Sequence, residues 1–347
     1  MKGLGQKYLW SLALGALLVW LAFKDQDFAG FGARLAATDV NGVIAYTVLF
    51  TTAHLLRILR WGVLVRALGP ITWGTVAAAG AVGYMCIIVF PLRLGEFVRP
   101  YLVRGKGGVT ASGALATVVV ERVVDGLLFV ALFFVFIAML PPSNNPAVGP
   151  VKASAWVAGA VFSTTLIVLA AAHARRAWTV RFIERVGHRI HRGLTDKALG
   201  LLEAFLDGLA VLPDRRRLGI FLALTAVYWL LLGVGMQWLA VAVNIPDLTY
   251  TGAFALLAVV VVGIMIPAGP GFTGTFELAM TAGFSLLVLS PDSLENVALY
   301  TLMLHVIQLL VQVSVGAGWL LTGRVDLAAA IASGADDPPA PEAHPPR

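Results

Sequence analysis

Residues 83–100 read GYMCIIVFPLRLGEFVRP, an apolar run that stops at Pro91, resumes through Gly95, and carries Arg93, Glu96 and Arg99 at spacings of three. A long apolar block predicts a membrane helix, and proline and glycine in its middle predict that the helix breaks at membrane depth. A second stretch, residues 263–277, reads GIMIPAGPGFTGTFE and repeats the order of glycine, apolar run, proline, glycine and glutamate. Two such broken segments in one chain are the pointer to a transporter built from inverted repeats around a midplane site.

The surrounding sequence suits a bilayer. Of 347 residues, 59% are hydrophobic and 13% charged, with a mean hydropathy of +0.86, against about 25% charged in soluble domains. Cys86 is the lone cysteine, so neither an intrachain disulfide nor a thiolate metal cluster can form. The sequence lacks H-E-x-x-H and the Walker pattern G-x-x-x-x-G-K-[ST], and no metal, cofactor or catalytic residue is expected. The net charge of +6 borders apolar blocks, which points to membrane orientation rather than to nucleic acid.

The apolar blocks cover 8–23, 43–65, 71–90, 109–140, 153–172, 218–243, 253–266, 271–289 and 297–321. No A-x-A-like cleavage site precedes Lys24, so the first is retained as a helix rather than a signal peptide. Lys2, Lys7, Arg57, Arg60, Arg66 and the arginine-rich 175–217 stretch are expected on the cytoplasmic side, and the uncharged 141–150 loop outside. Parity then requires 71–108 to enter and return inside, and 250–290 to return outside. The expected fold is an all-α polytopic bundle of about six full spans plus two oppositely oriented broken hairpins. Residues 1–325 form its membrane domain, 173–217 a basic amphipathic cytoplasmic connector, and 326–347, with DDPPAPEAHPP, a disordered cytoplasmic tail. Both termini are expected in the cytoplasm of a bacterial inner membrane.

Charges at membrane depth cost roughly 2.5–3.5 kcal/mol each and should face protein or a watery cavity. Arg93, Glu96 and Arg99 form one such group, with the arginine fork suited to phosphate. Glu121, Arg122 and Asp125 in VVVERVVDGLL form another, with Asp125 on the same helix side as both neighbours. Gly269, Gly271 and Gly274 formally match G-x-G-x-x-G, but no βαβ unit surrounds them. They read instead as a break from which a helix beginning near Thr273 aims free N–H groups at an anion, with Glu277 carrying a coupling proton or pairing with an arginine. Arg57 and Arg60 read first as positive-inside anchors, with Arg60 kept among the candidate ligands. Trp10, Trp20, Trp156 and Trp319 read as interfacial belts. His305, Gln308 and Gln312 share one helix face and read as hydrogen-bonding glue between helices.

These motifs, R-x-x-R-W at Arg57–Trp61, P-x-R-x-G-E-x-x-R at Pro91–Arg99, E-R-x-x-D at Glu121–Asp125 and the glycine-rich stretch ending in Glu277, resemble the flippase-like membrane region of lysylphosphatidylglycerol synthases. The resemblance runs through about Arg324. It implies a helical bundle with re-entrant segments that moves a lipid head group between leaflets. In bifunctional relatives a soluble C-terminal domain loads lysine onto phosphatidylglycerol; the 326–347 tail does not resemble one, so aminoacyl transfer is not assigned to these residues.

The expected function is a lipid flippase for an anionic or zwitterionic phosphate-bearing lipid, a phospholipid or a polyprenyl-phosphate type. Arg93, Arg99 and Arg122 would hold phosphate while Glu96, Asp125 and Glu277 balance charge or carry protons. The rivals are an integral-membrane transferase with Glu121 or Asp125 as base, and a scaffold recruiting a lipid-modifying enzyme. A second copy or a partner synthase is the candidate protein partner.

Overall fold

The computed structural model describes residues 14–24, 30–90, 95–139, 148–188, 192–209, 214–265 and 269–327. Among them the chain is helical, without strands. Helix α1 (Leu14–Phe23) precedes α2 (Phe31–Ala36), α3 (Val40–Val65), α4 (Trp73–Val89), α5 (Val98–Val103), α6 (Ala111–Met139) and α7 (Val148–Ala174). Then come α8 (Arg176–Gly187), α9 (Arg192–Gly208), α10 (Arg215–Ala242), α11 (Tyr250–Gly263), α12 (Thr275–Phe284), α13 (Pro291–Glu295) and α14 (Val297–Leu320). Side chains fix several starts by accepting early backbone N–H groups: Asp39 for α3, Thr72 for α4, Asp214 for α10 and Thr249 for α11.

Length separates two kinds of helix. Helices α3, α10, α14 and the 156–174 part of α7 are long and apolar enough to cross a membrane. The 29 residues of α6 also suffice, at about 43 Å, although it carries Glu121, Arg122 and Asp125. By contrast α4, α11 and α12 have 17, 14 and 10 residues, or about 26, 21 and 15 Å, short of a hydrocarbon core of about 30 Å. The breaks expected near Gly95 and Gly271 are therefore present; Pro91, Arg93 and Pro267 lie outside the described residues.

Contacts at the helix ends show how the short helices enter. At one end of the bundle Asp39 N donates to the Ala242 carbonyl at 2.9 Å, joining the start of α3 to the end of α10. There Trp238 Nε1 donates to Tyr250 Oη at 3.2 Å, so α11 begins at this end. At the other end Arg66 Nε donates to the Ile71 carbonyl at 2.8 Å, and its guanidinium lies 4.5 Å from the Trp73 ring, so α4 begins there. The two broken hairpins thus enter from opposite ends. Their tips meet inside, where Ile87 and Ile88 of α4 and Ile264 and Phe272 of the second hairpin line one cavity. The α4 end gathers Arg66, Lys106, Arg215, Arg216, Arg217 and Arg324, while the α11 end gathers Asp39, Asp247, Asp292 and Glu295 beside Lys24 and Arg34.

In a bilayer, apolar transfer does not drive helices together, so close packing through small residues must. Helix α4 carries such a face, with Ala78, Ala79, Gly80, Ala81 and Gly83 all buried. Gly80 lies against Ile58, and Gly83 against the aliphatic stem of Arg99. The outer surface is apolar instead: Ile44, Val48, Leu55 and Leu59 make an exposed stripe along α3, continued by Leu230 on α10 and Leu310 on α14. A lipid-facing bundle looks like this; a water-facing one would not. Helix α9 closes the basic end, packing its Leu206, and Leu209 just beyond it, with Leu64, Val120 and Phe221, within the connector expected to form surface helices.

Candidate functional site

The charged residues of α3, α5 and α6 converge in the interior. Arg60 donates to both Asp125 oxygens, at 2.6 Å through Nη1 and 2.9 Å through Nη2, and Nη2 also reaches Glu121 Oε1 at 2.7 Å. Arg99 Nη1 donates to Glu121 Oε2 at 3.0 Å and to Tyr84 Oη at 2.6 Å, while Tyr84 in turn donates to Glu121 Oε1 at 2.9 Å. Trp229 Nε1 adds a bond of 3.1 Å to Asp125 Oδ1. Arg60, Arg99 and Glu121 are each 0% exposed, so these contacts stand in for solvent, although Arg60 Nε and Arg99 Nε and Nη2 are left without a hydrogen-bond partner. A buried ion pair of this kind is weak evidence of net stabilisation, but deleting one partner typically costs about 3–5 kcal/mol because the other is stranded.

The arginines on the cavity side are also unsaturated. Arg122 Nη2 lies 3.0 Å from Glu121 Oε1 and 3.4 Å from Asp125 Oδ2, but without hydrogen-bonding geometry, and its Nε is also unbonded. Glu96 stands near enough to act on Arg122 electrostatically. The Arg57 guanidinium lies 4.0 Å from the Tyr84 ring, a cation–π contact that leaves its Nε without a hydrogen-bond partner. His54 Nε2 is buried and unbonded as well. All three side chains line the cavity of ≈110 Å³ between the hairpin tips.

The second cluster lies on that cavity's α12–α14 side. Glu277 Oε2 accepts from Gly274 N at 2.6 Å, and Oε1 lies 2.6 Å from His305 Nδ1. His305 Nε2 in turn lies 2.6 Å from the Gly271 carbonyl. Gly271 and Gly274 have φ of 66° and 93°, and Phe272 has φ of 61°, so the turn needs the left-handed region three times in four residues. Glycine adopts it freely, whereas phenylalanine pays roughly 1–2 kcal/mol. Thr273 closes the turn by donating to the Pro270 carbonyl at 2.7 Å, and Gly269 accepts from Phe272 N at 3.2 Å.

The structure brings Arg60, Arg99, Glu121, Arg122 and Asp125 into one network, with Glu96 nearby, and Gly269, Gly271, Thr273, Gly274 and Glu277 into a second cluster. Arg93 lies outside the described residues. Three roles differ from expectation. Arg60 turns both Nη groups, and Arg99 its Nη1, to internal carboxylates, and Arg57, read as an anchor, lines the cavity. Glu277 meets a histidine rather than an arginine, and it occupies the Gly274 N–H expected to face an anion. Gln308 does serve as glue, donating to Tyr46 Oη at 3.0 Å. In the sequence His54 stands out only as a lesser signal beside Arg57, Arg60 and Trp61, and Tyr84 gives none beyond being a polar group in an apolar run.

The family described as the lysylphosphatidylglycerol synthase TM region matches residues 8–316, and the chain belongs to it. Glycosyltransferase AglD of Haloferax volcanii is 24% identical over 326 residues, covering 87% of this chain and 52% of that protein. The chain therefore spans about half the length of this curated relative.

Proposed function

We propose that the protein moves a phosphate-bearing lipid between leaflets, with the head group passing through the cavity between the hairpin tips and the acyl chains remaining in the bilayer. The observation that carries this reading is that Arg57, Arg122 and His54 line one cavity and each has a buried side-chain nitrogen without a hydrogen-bond partner. An unmet donor in a low-dielectric interior is unfavourable, and an anionic oxygen would satisfy several at once. Arg60 and Arg99 then hold the wall rather than the cargo. Helices too short to span, entering from opposite ends, supply two gates around a fixed site. The positive-inside rule supports a cytoplasmic basic end, as expected for an inner membrane.

Replacing Arg57 or Arg122 by Gln is expected to remove most of the phospholipid that co-purifies in mild detergent, as counted by mass spectrometry. Wild-type lipid occupancy in both variants overturns the assignment.

The likeness to a protein named a glycosyltransferase favours a second reading, in which the cargo is a lipid-linked sugar phosphate used by an enzyme. Transferase chemistry within these residues has less support, because Glu121 and Asp125 both have their oxygens occupied by guanidinium groups.

A further inference from the structure

We infer that Glu277 and His305 share one exchangeable proton, and that its loss releases the Gly269–Thr273 turn from the cavity wall. The inference follows from donor and acceptor bookkeeping. The Gly271 carbonyl has no hydrogen to give, so at 2.6 Å His305 Nε2 must donate to it. A hydrogen must also lie between His305 Nδ1 and Glu277 Oε1, likewise 2.6 Å apart, since two bare lone pairs would repel at that distance. The pair is therefore either imidazolium with carboxylate or neutral imidazole with carboxylic acid. Both states contain the same number of protons.

Removing one proton leaves a single N–H on the ring for two acceptors. If Nε2 keeps it, Nδ1 and the Glu277 carboxylate face each other with lone pairs and separate. If Nδ1 keeps it, Nε2 can no longer hold the Gly271 carbonyl. Either outcome breaks one of two bonds that fasten the turn, and the turn already contains Phe272 at φ 61°, which favours its release. Phe276 stacks on the His305 ring at 4.3 Å and 24°, a position that also supports the charged imidazolium.

The other titratable groups around this cavity are His54 and Arg57 from α3, Arg122 and Asp125 from α6, and Tyr228 from α10. Helix α14 adds the neutral Gln308 and Gln312, while α4 and α11 add apolar residues such as Ile88 and Val260. Helix α1 sets Gly15 and Leu18 against the turn. None of these is bonded to the pair, so the proton belongs to Glu277 and His305. Because Phe272 lines the cavity, turn release opens the wall beside the bound head group. That last step rests on the transport reading; the shared proton does not.

Hydrogen exchange of the 269–277 segment, measured by mass spectrometry in lipid nanodiscs from about pH 5 to about pH 9 and corrected for intrinsic exchange, tests the inference without any transport assay. In the wild type, protection should fall by about tenfold per pH unit once the proton leaves, as linkage to one proton requires. Glu277→Gln can donate to neutral Nδ1 through its amide without titrating, so the segment should stay protected throughout. His305→Ala should leave it unprotected throughout. Corrected protection that is flat with pH in the wild type, or a Glu277→Gln variant that follows the wild-type curve, overturns the inference. Lipid transfer that fails while this pattern holds would sink only the transport reading.

Discussion

The two hairpin tips are fastened by opposite chemistry. Behind the first, Arg99 bonds Glu121 and Tyr84, and Arg60 bonds Glu121 and Asp125. Guanidinium keeps its charge at any pH a protein meets, so this anchor is permanent. Behind the second, His305 bonds Glu277 and the Gly271 carbonyl, an arrangement that depends on the one proton the pair shares. The difference teaches that one half of the bundle is built as a fixed wall and the other as a wall that can let go.

The contrast is broken most severely at Glu121, which hydrogen-bonds two arginines and ion-pairs with a third. Glu121→Ala should cost about 3–5 kcal/mol by stranding buried guanidinium groups, visible as a large fall in thermal stability in detergent. A fall no greater than that from an exposed-face change such as Leu55→Ala would mean the network is not an anchor. Next in size is Gly83→Ala, whose added methyl would collide with the Arg99 stem. Overpacking of this kind costs about 1–3 kcal/mol, and replacing Arg99 by Met in the same background should recover little. Unchanged melting of Gly83→Ala would contradict the close approach.

The cavity arginines should behave differently from the anchors. Arg57→Gln and Arg122→Gln should slow lipid transfer by about tenfold to a hundredfold, the worth of a charge-assisted hydrogen bond of about 1.5–3 kcal/mol. Their melting temperature should stay close to wild type. Lysine at either position keeps the charge and loses the fork, so it should restore only part of the rate. Variants that unfold before they lose transfer would move Arg57 and Arg122 into the anchor class.

The smallest effect is expected at the acidic end, outside the spanning segments. Asp247 accepts from Ser290 N at 3.0 Å and from Ser293 Oγ at 2.7 Å, and the serine hydrogen bonds hold its carboxyl below the usual carboxylate range. A carboxyl depressed in the folded state stabilises above its unfolded pKa and loses that contribution as pH falls through the folded value. Asp247→Asn should therefore flatten a slight acid-side loss of stability and change little at neutral pH. An equally steep acid limb in the variant would assign the loss to other groups.

Much of the fold was legible in the sequence because bilayers impose simple rules. Apolar block length separated full spans from short ones, and proline with glycine marked both breaks. The site was only half legible. Arg57, Arg60 and Arg99 are chemically alike, and Arg57 and Arg60 lie one turn apart on α3, so only packing decides which meets a carboxylate and which meets the cavity. Glu277 and His305 are separated by 28 residues, and nothing local links them. Tyr84 sits in an apolar run where its hydroxyl needs a partner, but the sequence does not say which.

Transfer of fluorescent lipids across the bilayer of reconstituted vesicles, with paired cargoes that differ only in carrying or lacking a phosphate, tests the role of the cavity most directly. The phosphate-bearing lipid should cross many times faster than in empty vesicles, and the phosphate-free lipid no faster than background. Equal rates for the two lipids, or transfer no faster than in empty vesicles, would contradict a cavity that selects phosphate.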